Sequence, residues 1–478
     1  MGETQVQAKD KLTVCGREYE LLRLLGKGKG GYSWLVSDGR EEAVLKQIHH
    51  EPCAYYTFGD KVGAERFDRE RLERAGIRMP KLLALDVPAE RIVKEYIEGP
   101  TVFELVRDGL SAEPYLPQVR AMAAQARAAG LNLDYFPANF VVRDGLLWYV
   151  DYECNAYSDE WNFENWGIRY WSRTPEFKAA LRGRVTFRPY TDGDYEAVCA
   201  FLAALVRADE SRVNWNWARF EWMAEHPEFD KSRTSSIGLW CEDGRVVGAA
   251  IYDMYFGEAF CGVLPAFGFL YPDILDYAYR ELKDEAGLGT AVCDGDAAGI
   301  GALRTAGFEP AKQSETVMEK DLRAVPDEAS VLLPEGVCLT ELDPSREDLK
   351  DVQWLFWQGF DHGSDRTEFE EDFEKTAQEL RPRRHFDPAL SLAARTLAGE
   401  LISYCCLWVR PDTGYAYVEP VCTVPAWRGK GIAGALLQEA FRRAKARGAE
   451  KAFVISDLAF YEKLGFRKKY HYTFYWKA

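Results

Sequence analysis

This sequence is poor in several things, and each shortage closes off a class of protein. Among its 478 residues there are only 6 His, and the one close pair is His49 and His50. A metal site built from histidine is therefore not expected. The 11 Cys are scattered, with Cys405 and Cys406 adjacent but no C-x-x-C pair and no Cys/His cluster. Neither structural zinc nor a disulfide framework is expected, and the thiols should be reduced. Basic residues are the minority, 60 Lys and Arg against 76 Asp and Glu, for a net charge of −16. That argues against a nucleic-acid partner, which would need an extended basic face. No uncharged apolar run reaches the roughly 18 residues of a membrane span. The most apolar stretch, Leu390 to Val409, is broken by Arg395 and Glu400, so no membrane partner is expected. The opening MGETQVQAKDKLTV has no apolar export signal, which makes the expected location cytoplasmic.

Apolar residues, by contrast, make up 47% of the chain and aromatics 14%, including 14 Trp. These are values of a globular chain with bulky cores. At roughly 150 residues per domain, the length suggests about three domains. Pattern divides the chain accordingly, at 1–183, 184–323 and 336–478. The first segment opens with short β-like runs around a Gly-rich turn. Helical stretches follow near Ala64–Gly76 and Tyr115–Ala129, then a loop and strand near Leu131–Tyr152. It closes on the aromatic tract Glu160–Trp171 and a linker containing Arg182, Gly183 and Arg184.

The second and third segments repeat one another. Each opens with a strand and an acidic turn, VTFRPYTDGD at Val185 and VCLTELDPSRED at Val337. Trp- and Phe-rich helices, a β-hairpin and a long amphipathic helix follow in both. Each ends as helix, Gly-Phe, strand; Gly307-Phe308 matches Gly465-Phe466, an offset of 158 residues (466 − 308 = 158). The expected fold class is a multidomain α/β and α+β chain, with Arg323–Gly336 as the linker between two mixed-sheet units.

The strongest motif lies in the third segment, where VPAWRGKGIA (Val424–Ala433) joins a strand at Tyr415–Thr423 to a helix at Gly434–Arg447. Free N–H groups of a helix's first turn and the positive end of its dipole attract anions. Gly429 and Gly431 let a pyrophosphate approach the backbone, while Arg428 and Lys430 put charge at the rim. From Arg428 to Lys451 seven basic residues face two acidic ones, reversing the overall balance where a phosphate would sit.

Together with FYEKLGF (Phe460–Phe466), this loop resembles the GNAT (Gcn5-related) acetyltransferases over Val337–Ala478. The resemblance implies acetyl-CoA as cofactor, held by Gly429, Lys430, Gly431, Ile432, Ala433 and Arg428. It further implies an amine acceptor, a small molecule or peptide and by charge a cationic one. Tyr461 matches the residue that protonates the departing thiolate. Glu419, an acid within an apolar strand, is the expected base toward the amine, directly or through water. Backbone N–H groups of Val421, Thr423 and Val424 should polarise the thioester carbonyl. Residues Trp354–Phe360 are expected near the acceptor.

In the second segment the same offset puts Leu270 opposite Arg428 and Leu303 opposite Tyr461. Its loop, PAFGFLYPD (Pro265–Asp273), has one Gly and no basic residue. This segment reads as a degenerate GNAT unit that packs against the third. Asp294 and Asp296 read as a turn rather than a cation site.

The first segment carries LGKGKGGYSWLV, with Gly26, Gly28 and Gly31 in G-x-G-x-x-G register, and then Lys46 in AVLKQI. Downstream come LDYFPANFVV, with Asp134 and Asn139, and YVDYE, with Asp151. A Gly hairpin followed by a strand lysine, rather than a helix, resembles the protein-kinase-like superfamily in its small RIO-like and aminoglycoside-kinase style. The resemblance implies ATP and Mg²⁺. Lys46 would be paired with Glu65 (or Glu70), Asp134 would orient an acceptor hydroxyl, and Asn139 and Asp151 would hold the metal. About thirty residues after Asp151 are few for a substrate lobe, which the aromatic tract completes by packing. The function expected is an N-acetyltransferase carrying a kinase-like domain. The alternatives are a small-molecule phosphotransferase, a bifunctional modifier of aminoglycoside-like antibiotics, and a sensor that binds nucleotide and CoA without turnover. The oligomeric state is not legible.

Overall fold

The computed structural model describes residues 10–28, 30–50, 59–224, 226, 229–328, 332–343, 349–376 and 384–478. Lys29 of the Gly-rich turn, 329–331 of the linker and most of the second acidic turn (344–348) lie outside the described residues. The chain forms two compact units, Met1–Val185 and Thr186–Ala478.

Unit 1 begins with strands β1 (Lys11–Val14), β2 (Arg17–Gly28), β3 (Gly31–Ser37), β4 (Glu42–Ile48), β5 (Leu82–Asp86) and β6 (Arg91–Glu95). They make one antiparallel sheet in the order β1-β2-β3-β4-β6-β5. Helix α1 (Lys61–Arg74) intervenes between β4 and β5, begun by Asp60, whose carboxylate accepts from the Gly63 N–H at 2.8 Å. Val62 packs with Ile48 and Ile92, pinning the helix to the sheet. The remainder holds α2 (Val102–Arg107) and α3 (Leu116–Ala128), then β7 (Leu131–Leu133), β8 (Phe140–Arg143), β9 (Leu146–Tyr149) and β10 (Cys154–Ala156). Strand β7 pairs with β10, and β8 with β9.

The aromatic tract packs beneath the loop carrying Asp134, as expected. Trp171 is buried, meets Phe163 and Phe140 edge-on, and donates its indole N–H to the Tyr135 carbonyl at 2.9 Å. The expected linker at Arg182–Arg184 is instead the end of α4 (Pro175–Gly183), with Arg184 as its C-cap and the next strand starting at Val185. Pro175 at the first helical position and Thr174 as N-cap drive that helix through the Arg-Gly-Arg stretch.

Unit 2 contains both repeats. The first supplies strands β11 (Val185–Pro189), β12 (Gly238–Glu242), β13 (Arg245–Asp253), β14 (Tyr255–Val263), β15 (Leu288–Cys293) and β16 (Glu309–Asp321). Its helices are α5 (Tyr195–Ala208), α6 (Trp217–Ala224), α7 (Tyr271–Glu281) and α8 (Ala297–Thr305). The second supplies β17 (Val337–Glu341), β18 (Ser391–Thr396), β19 (Leu401–Val409), β20 (Tyr415–Thr423), β21 (Lys451–Ile455) and β22 (Arg467–Lys477). Its helices are α9 (Leu349–Gly359), α10 (Arg366–Thr376), α11 (Ile432–Ala446) and α12 (Ala459–Lys463).

All twelve strands form one sheet, ordered β11-β12-β13-β14-β15-β22-β16-β21-β20-β19-β18-β17. The order is palindromic about the β22/β16 pair, with the last strands exchanged. Strand β22 of the second repeat lies beside β15 of the first, and β16 of the first lies beside β21 of the second. The two repeats are thus not laid end to end: each completes the other's sheet. The close approach at this seam needs glycine at Gly287, with φ at 122°, where a Cβ would stand 2.2 Å from the Lys477 carbonyl oxygen.

The repeat itself is real at the level of backbone bonds. Phe308 N–H reaches the Leu303 carbonyl, and Phe466 N–H the Tyr461 carbonyl, each at 3.0 Å. Gly307 and Gly465, both at positive φ, close helices α8 and α12 in the same way. At the loop, however, the offset is 160 rather than 158, because Pro265 and Pro425 begin equivalent turns (425 − 265 = 160). This puts Gly268, not Leu270, opposite Arg428.

Candidate functional site

Strands β20 and β21 run parallel, paired from Tyr415↔Lys451 to Tyr417↔Phe453. Beyond that point β20 continues to Thr423, bonded on its other edge to β19, while β21 continues against β16. Two parallel strands that part in mid-course leave a notch with free backbone donors on its wall. Antiparallel alternation decides which donors face it. Val424 N–H is bonded to the Ile402 carbonyl at 3.0 Å, so Val424 is removed from the expected carbonyl-binding set. Val421 and Thr423 alternate with the β19-bonded positions and direct their N–H groups toward the notch.

The notch opens onto the start of α11. Its first intrahelical bond runs from the Ala435 N–H to the Gly431 carbonyl at 3.0 Å, leaving Ile432, Ala433 and Gly434 as outward donors. The helix starts at Ile432, two residues before its expected beginning at Gly434, because Gly431 serves as N-cap at φ 81°. Gly429 is also left-handed, at φ 75°, and nothing lies within 4 Å of where a Cβ would stand on either glycine. Buried Ile432, Leu436, Leu437, Ala440, Phe441 and Ala444 hold this helix against the sheet. Glycine turn, exposed donors and open space fit a pyrophosphate and a thioester, the groups acetyl-CoA would bring.

Two expectations about charge are corrected here. The Arg428 guanidinium is not a free charge: it donates to the Thr423 carbonyl at 2.9 Å, the Gly359 carbonyl at 2.9 Å and Asp361 at 3.0 Å. It latches the end of α9 onto β20, where Gly359 sits so close that a Cβ would be 2.7 Å from the Cys422 Cβ. The basic run of α11 is likewise engaged elsewhere. Arg442 and Arg443 pair with Glu439, Lys445 with Asp327, Arg447 with Asp387, and Lys451 with Glu210. Among the described residues of that run, Lys430 alone has no carboxylate partner, and its ammonium lies 4.2 Å from the Trp427 ring centroid.

Tyr461 is buried on α12 between Phe460 and Phe466. Burial, then the neighbouring Glu419 carboxylate, push its phenol well above the ordinary tyrosine value, so it keeps its proton. Glu419 is half-buried on β20, and its carboxylate accepts from the Tyr417 hydroxyl at 2.8 Å. Its carbonyl accepts from the Trp408 indole N–H at 2.7 Å. The pair expected from the sequence is thus brought together, while Tyr417 was not foreseen. The first repeat surrounds Tyr417 with charge. Arg219 on α6 is held by Glu315 at 3.1 Å and Asp253 at 2.9 Å. Burial opposes its charge, but Glu315 and Asp253 keep its pKa well above the usual guanidinium value. The aromatic residues of α9 pack with their own surroundings, Phe356 against Tyr404 at 5.3 Å and Trp354 against Phe369 at 5.0 Å.

In the first repeat the equivalent region is covered. Strands β14 and β15 are parallel only at Glu258↔Gly289, but the 3-10 turn Glu210–Trp215 spans the place where they would part. Trp215 stacks on Phe260 of β14 at 5.0 Å, and Arg212 pairs at 2.5 Å with Asp296, which caps α8. Asp294 accepts from His471 and Thr473, both at 2.7 Å. Asp294 lies in the turn after β15 and Asp296 accepts from the Gly299 N–H at 2.8 Å as the N-cap of α8, the turn expected from the sequence.

In unit 1, Lys46 on β4 meets Glu65 on α1 at 2.5 Å, which selects Glu65 over Glu70. Gly26 and Gly28 end β2, and Gly31 begins β3. The Asn139 amide donates to the Asp134 carbonyl at 3.3 Å, and Val150 N–H to the Asn139 carbonyl at 2.9 Å. The Tyr149 hydroxyl accepts from the Asp134 N–H at 3.2 Å and donates to the Glu153 carbonyl at 2.7 Å. The loop with Asp134 is therefore tied directly to the one with Asp151. Burial opposes the charge of Asp151, yet Lys46 and then Lys94 hold its carboxyl below the ordinary value. Burial likewise opposes the charge of Lys46, and Asp151 and Glu65 outweigh it. Lys94 and Lys61 were missed, although a lysine inside the apolar strand RIVKE was a readable signal.

Residues 348–466 match the family model described as the acetyltransferase (GNAT) family, so the C-terminal part of unit 2 is a GNAT-type acetyltransferase domain. No curated protein matches the chain. Among solved structures, a GCN5-related N-acetyltransferase from Sphaerobacter thermophilus is 18% identical, covering 62% of this chain and 95% of its own, with a TM-score of 0.39. A tandem GNAT protein from the clavulanic acid biosynthesis pathway is 16% identical over 61% of this chain and 98% of its own, also at 0.39. An acetyltransferase of the GNAT family from Colwellia psychrerythraea is 12% identical over 61% and 98%, at 0.37. Likenesses this loose decide neither fold nor activity.

Proposed function

We propose that unit 2 transfers the acetyl group of acetyl-CoA to an amine on a small molecule or peptide. The observation that carries this reading is the notch between β20 and β21, opening onto the bare N-terminus of α11 with Glu419 and Tyr461 beside it. Acetyl-CoA, when bound, supplies an activated acyl group on a sulfur leaving group. Ile432, Ala433 and Gly434 donate backbone N–H groups to its phosphates, and Val421 and Thr423 donate to the acyl oxygen. Glu419, oriented by Tyr417, takes the proton that the attacking amine must lose. Tyr461, protonated at neutral pH, gives a proton to the departing sulfur. An acidic protein favours a cationic acceptor. The first repeat, a degenerate GNAT unit, holds no acetyl-CoA and serves as a wall. The test is an acceptor screen by mass spectrometry with acetyl-CoA, together with calorimetric stoichiometry. Acetylated amine and one CoA per chain are expected; two CoA sites, or no turnover on any amine, would sink the reading.

We also infer that unit 1 is a small kinase-like domain binding a nucleotide, on the strength of the Lys46–Glu65 pair facing the Gly hairpin. Phosphoryl transfer to a hydroxyl through Asp134 is the further step, with an aminoglycoside-like amino alcohol as one acceptor class. ADP release from ATP that is lost in Asp151→Ala but kept in Tyr461→Phe supports it. A sensor without turnover is the competing reading, and acetyl-CoA turnover abolished by Gly431→Trp rejects that.

A further inference from the structure

Glu419 stands where the ladder between β19 and β20 changes register. Leu407 pairs with Val418 but Cys405 with Val421, so Glu419 and Pro420 together oppose Cys406 alone. One extra residue on β20 makes a bulge, a distortion that turns the side chain it carries in a new direction. The extra residue drops out of the ladder, so the aim of the Glu419 carboxylate depends on other tethers. It has two. The Glu419 carbonyl accepts from the Trp408 indole N–H at 2.7 Å, and its carboxylate accepts from the Tyr417 hydroxyl at 2.8 Å.

Trp408 is buried and is itself held by the first repeat. Trp217 on α6, also buried, meets it edge-on with ring centroids 6.4 Å apart. Trp217 in turn packs edge-on against the His385 ring at 5.6 Å. One helical turn along α6, buried Glu221 accepts from the His385 backbone N–H at 2.7 Å and pairs with its Nδ1 at 2.5 Å. Arg219, between Trp217 and Glu221, is tied to Glu315 and Asp253, so the helix is gripped on both sides. Direct contacts thus run from Glu221 through His385, Trp217 and Trp408 to Glu419. A base must lie within hydrogen-bond reach of the proton it takes, and a shift of about 1 Å can cost a hundredfold in rate. Resting on the reading of Glu419 as that base, we propose that Trp408, and Trp217 through it, are positioning residues for acetyl transfer. They hold the bulged Glu419 where an amine in the notch can reach it, so the first repeat takes part in the chemistry of the second.

The experiment is a double-mutant cycle on kcat in the full chain. Thiol release from acetyl-CoA is the signal, with diaminoalkanes and short basic peptides as acceptor probes. Trp408→Phe keeps an aromatic ring and loses the N–H. It should lower kcat about tenfold and leave acetyl-CoA affinity unchanged by calorimetry. Glu419→Gln should lower kcat at least about a hundredfold. Adding Trp408→Phe to Glu419→Gln should cost nothing more, because a positioning residue has no effect once its base is gone. Trp217→Phe should lower kcat about threefold alone and not at all on top of Trp408→Phe. If Trp408→Phe fails to fold, the cycle of Trp217→Phe with Glu419→Gln makes the same test. Wild-type kcat in Trp408→Phe, or a loss that persists in full on Glu419→Gln, overturns this proposal and leaves the base reading intact. Wild-type kcat in Glu419→Gln, or no thiol release with any probe, overturns the two together.

Discussion

The two halves of the twelve-stranded sheet carry the same turn and opposite outcomes. After β14, Phe267 N–H closes on the Leu264 carbonyl at 2.8 Å; after β20, Trp427 N–H closes on the Val424 carbonyl at 2.9 Å. The chain then reads Gly-Phe-Leu before α7 in one half and Arg-Gly-Lys-Gly before α11 in the other. The shorter loop has no left-handed glycine to bare the helix start, and its helix begins Tyr271-Pro272, with the proline lacking an N–H. Trp215 and Arg212 then cover the place where a ligand would lie. The two halves therefore differ in loop and in notch, while one sheet holds both because each supplies the other's last strand.

The largest effect that tests this contrast is at Tyr461. Tyr461→Phe should lower kcat by roughly 10²–10³-fold with little change in the KM for acetyl-CoA. The equivalent change in the other half, Leu303→Met, should leave kcat unaltered in the same assay. Next in size, Gly431→Trp forces a side chain onto φ 81° and into open space at the helix start. It should weaken acetyl-CoA binding about ten- to hundredfold by calorimetry, whereas Gly268→Trp should leave it alone. Transplanting Arg-Gly-Lys-Gly into the first repeat should create no second CoA site while Trp215 remains, so stoichiometry stays at one.

Smaller effects concern stability. Arg428→Met removes three bonds that hold α9 on β20 and should cost about 1–2 kcal/mol in urea unfolding, with a rise in acceptor KM. Smallest is the acid response. Arg188 holds Asp194 down to about 2, and Arg442 does the same for Glu439. A depressed carboxylate stabilises the fold above its unfolded value, about 4. That stability is lost as pH falls through the folded value of about 2. Asp194→Asn and Glu439→Gln should each remove about 1 kcal/mol at neutral pH, an effect that fades as pH falls through about 2. Because the strands are exchanged, either substitution should shift one common transition; two separate transitions would break the shared-sheet account.

Much of the active half was readable in advance. The strand Tyr415–Thr423, the Gly429 and Gly431 turn, Tyr461 and Glu419 sit where spacing put them, since a strand, a glycine turn and a helix start are local events. The Lys46–Glu65 pair was legible for the same reason, one residue on a strand and one on the next helix. Val424 was misassigned because strand alternation depends on where β19 pairs. Arg428 was misassigned because its acceptors, Gly359 and Asp361, are far away in sequence. Tyr417, Arg219 and Lys61 carried no motif and became visible only through their surroundings, whereas Lys94 in the apolar strand RIVKE was a signal that was passed over.

By itself the sequence determined two repeats, their elements and a double-glycine loop before the long helix in only one of them. Hydrophobic period, glycine and proline act within a few residues, and that reach is enough. Tertiary structure alone decided that β16 and β22 trade places, that Lys445, Arg447 and Lys451 meet acids far away in sequence, and that a buried lysine bonds the Val150 carbonyl. A strand's open edge accepts any complementary edge, and a charge answers to whatever burial brings near it. Neither partner is written beside the residue that needs it.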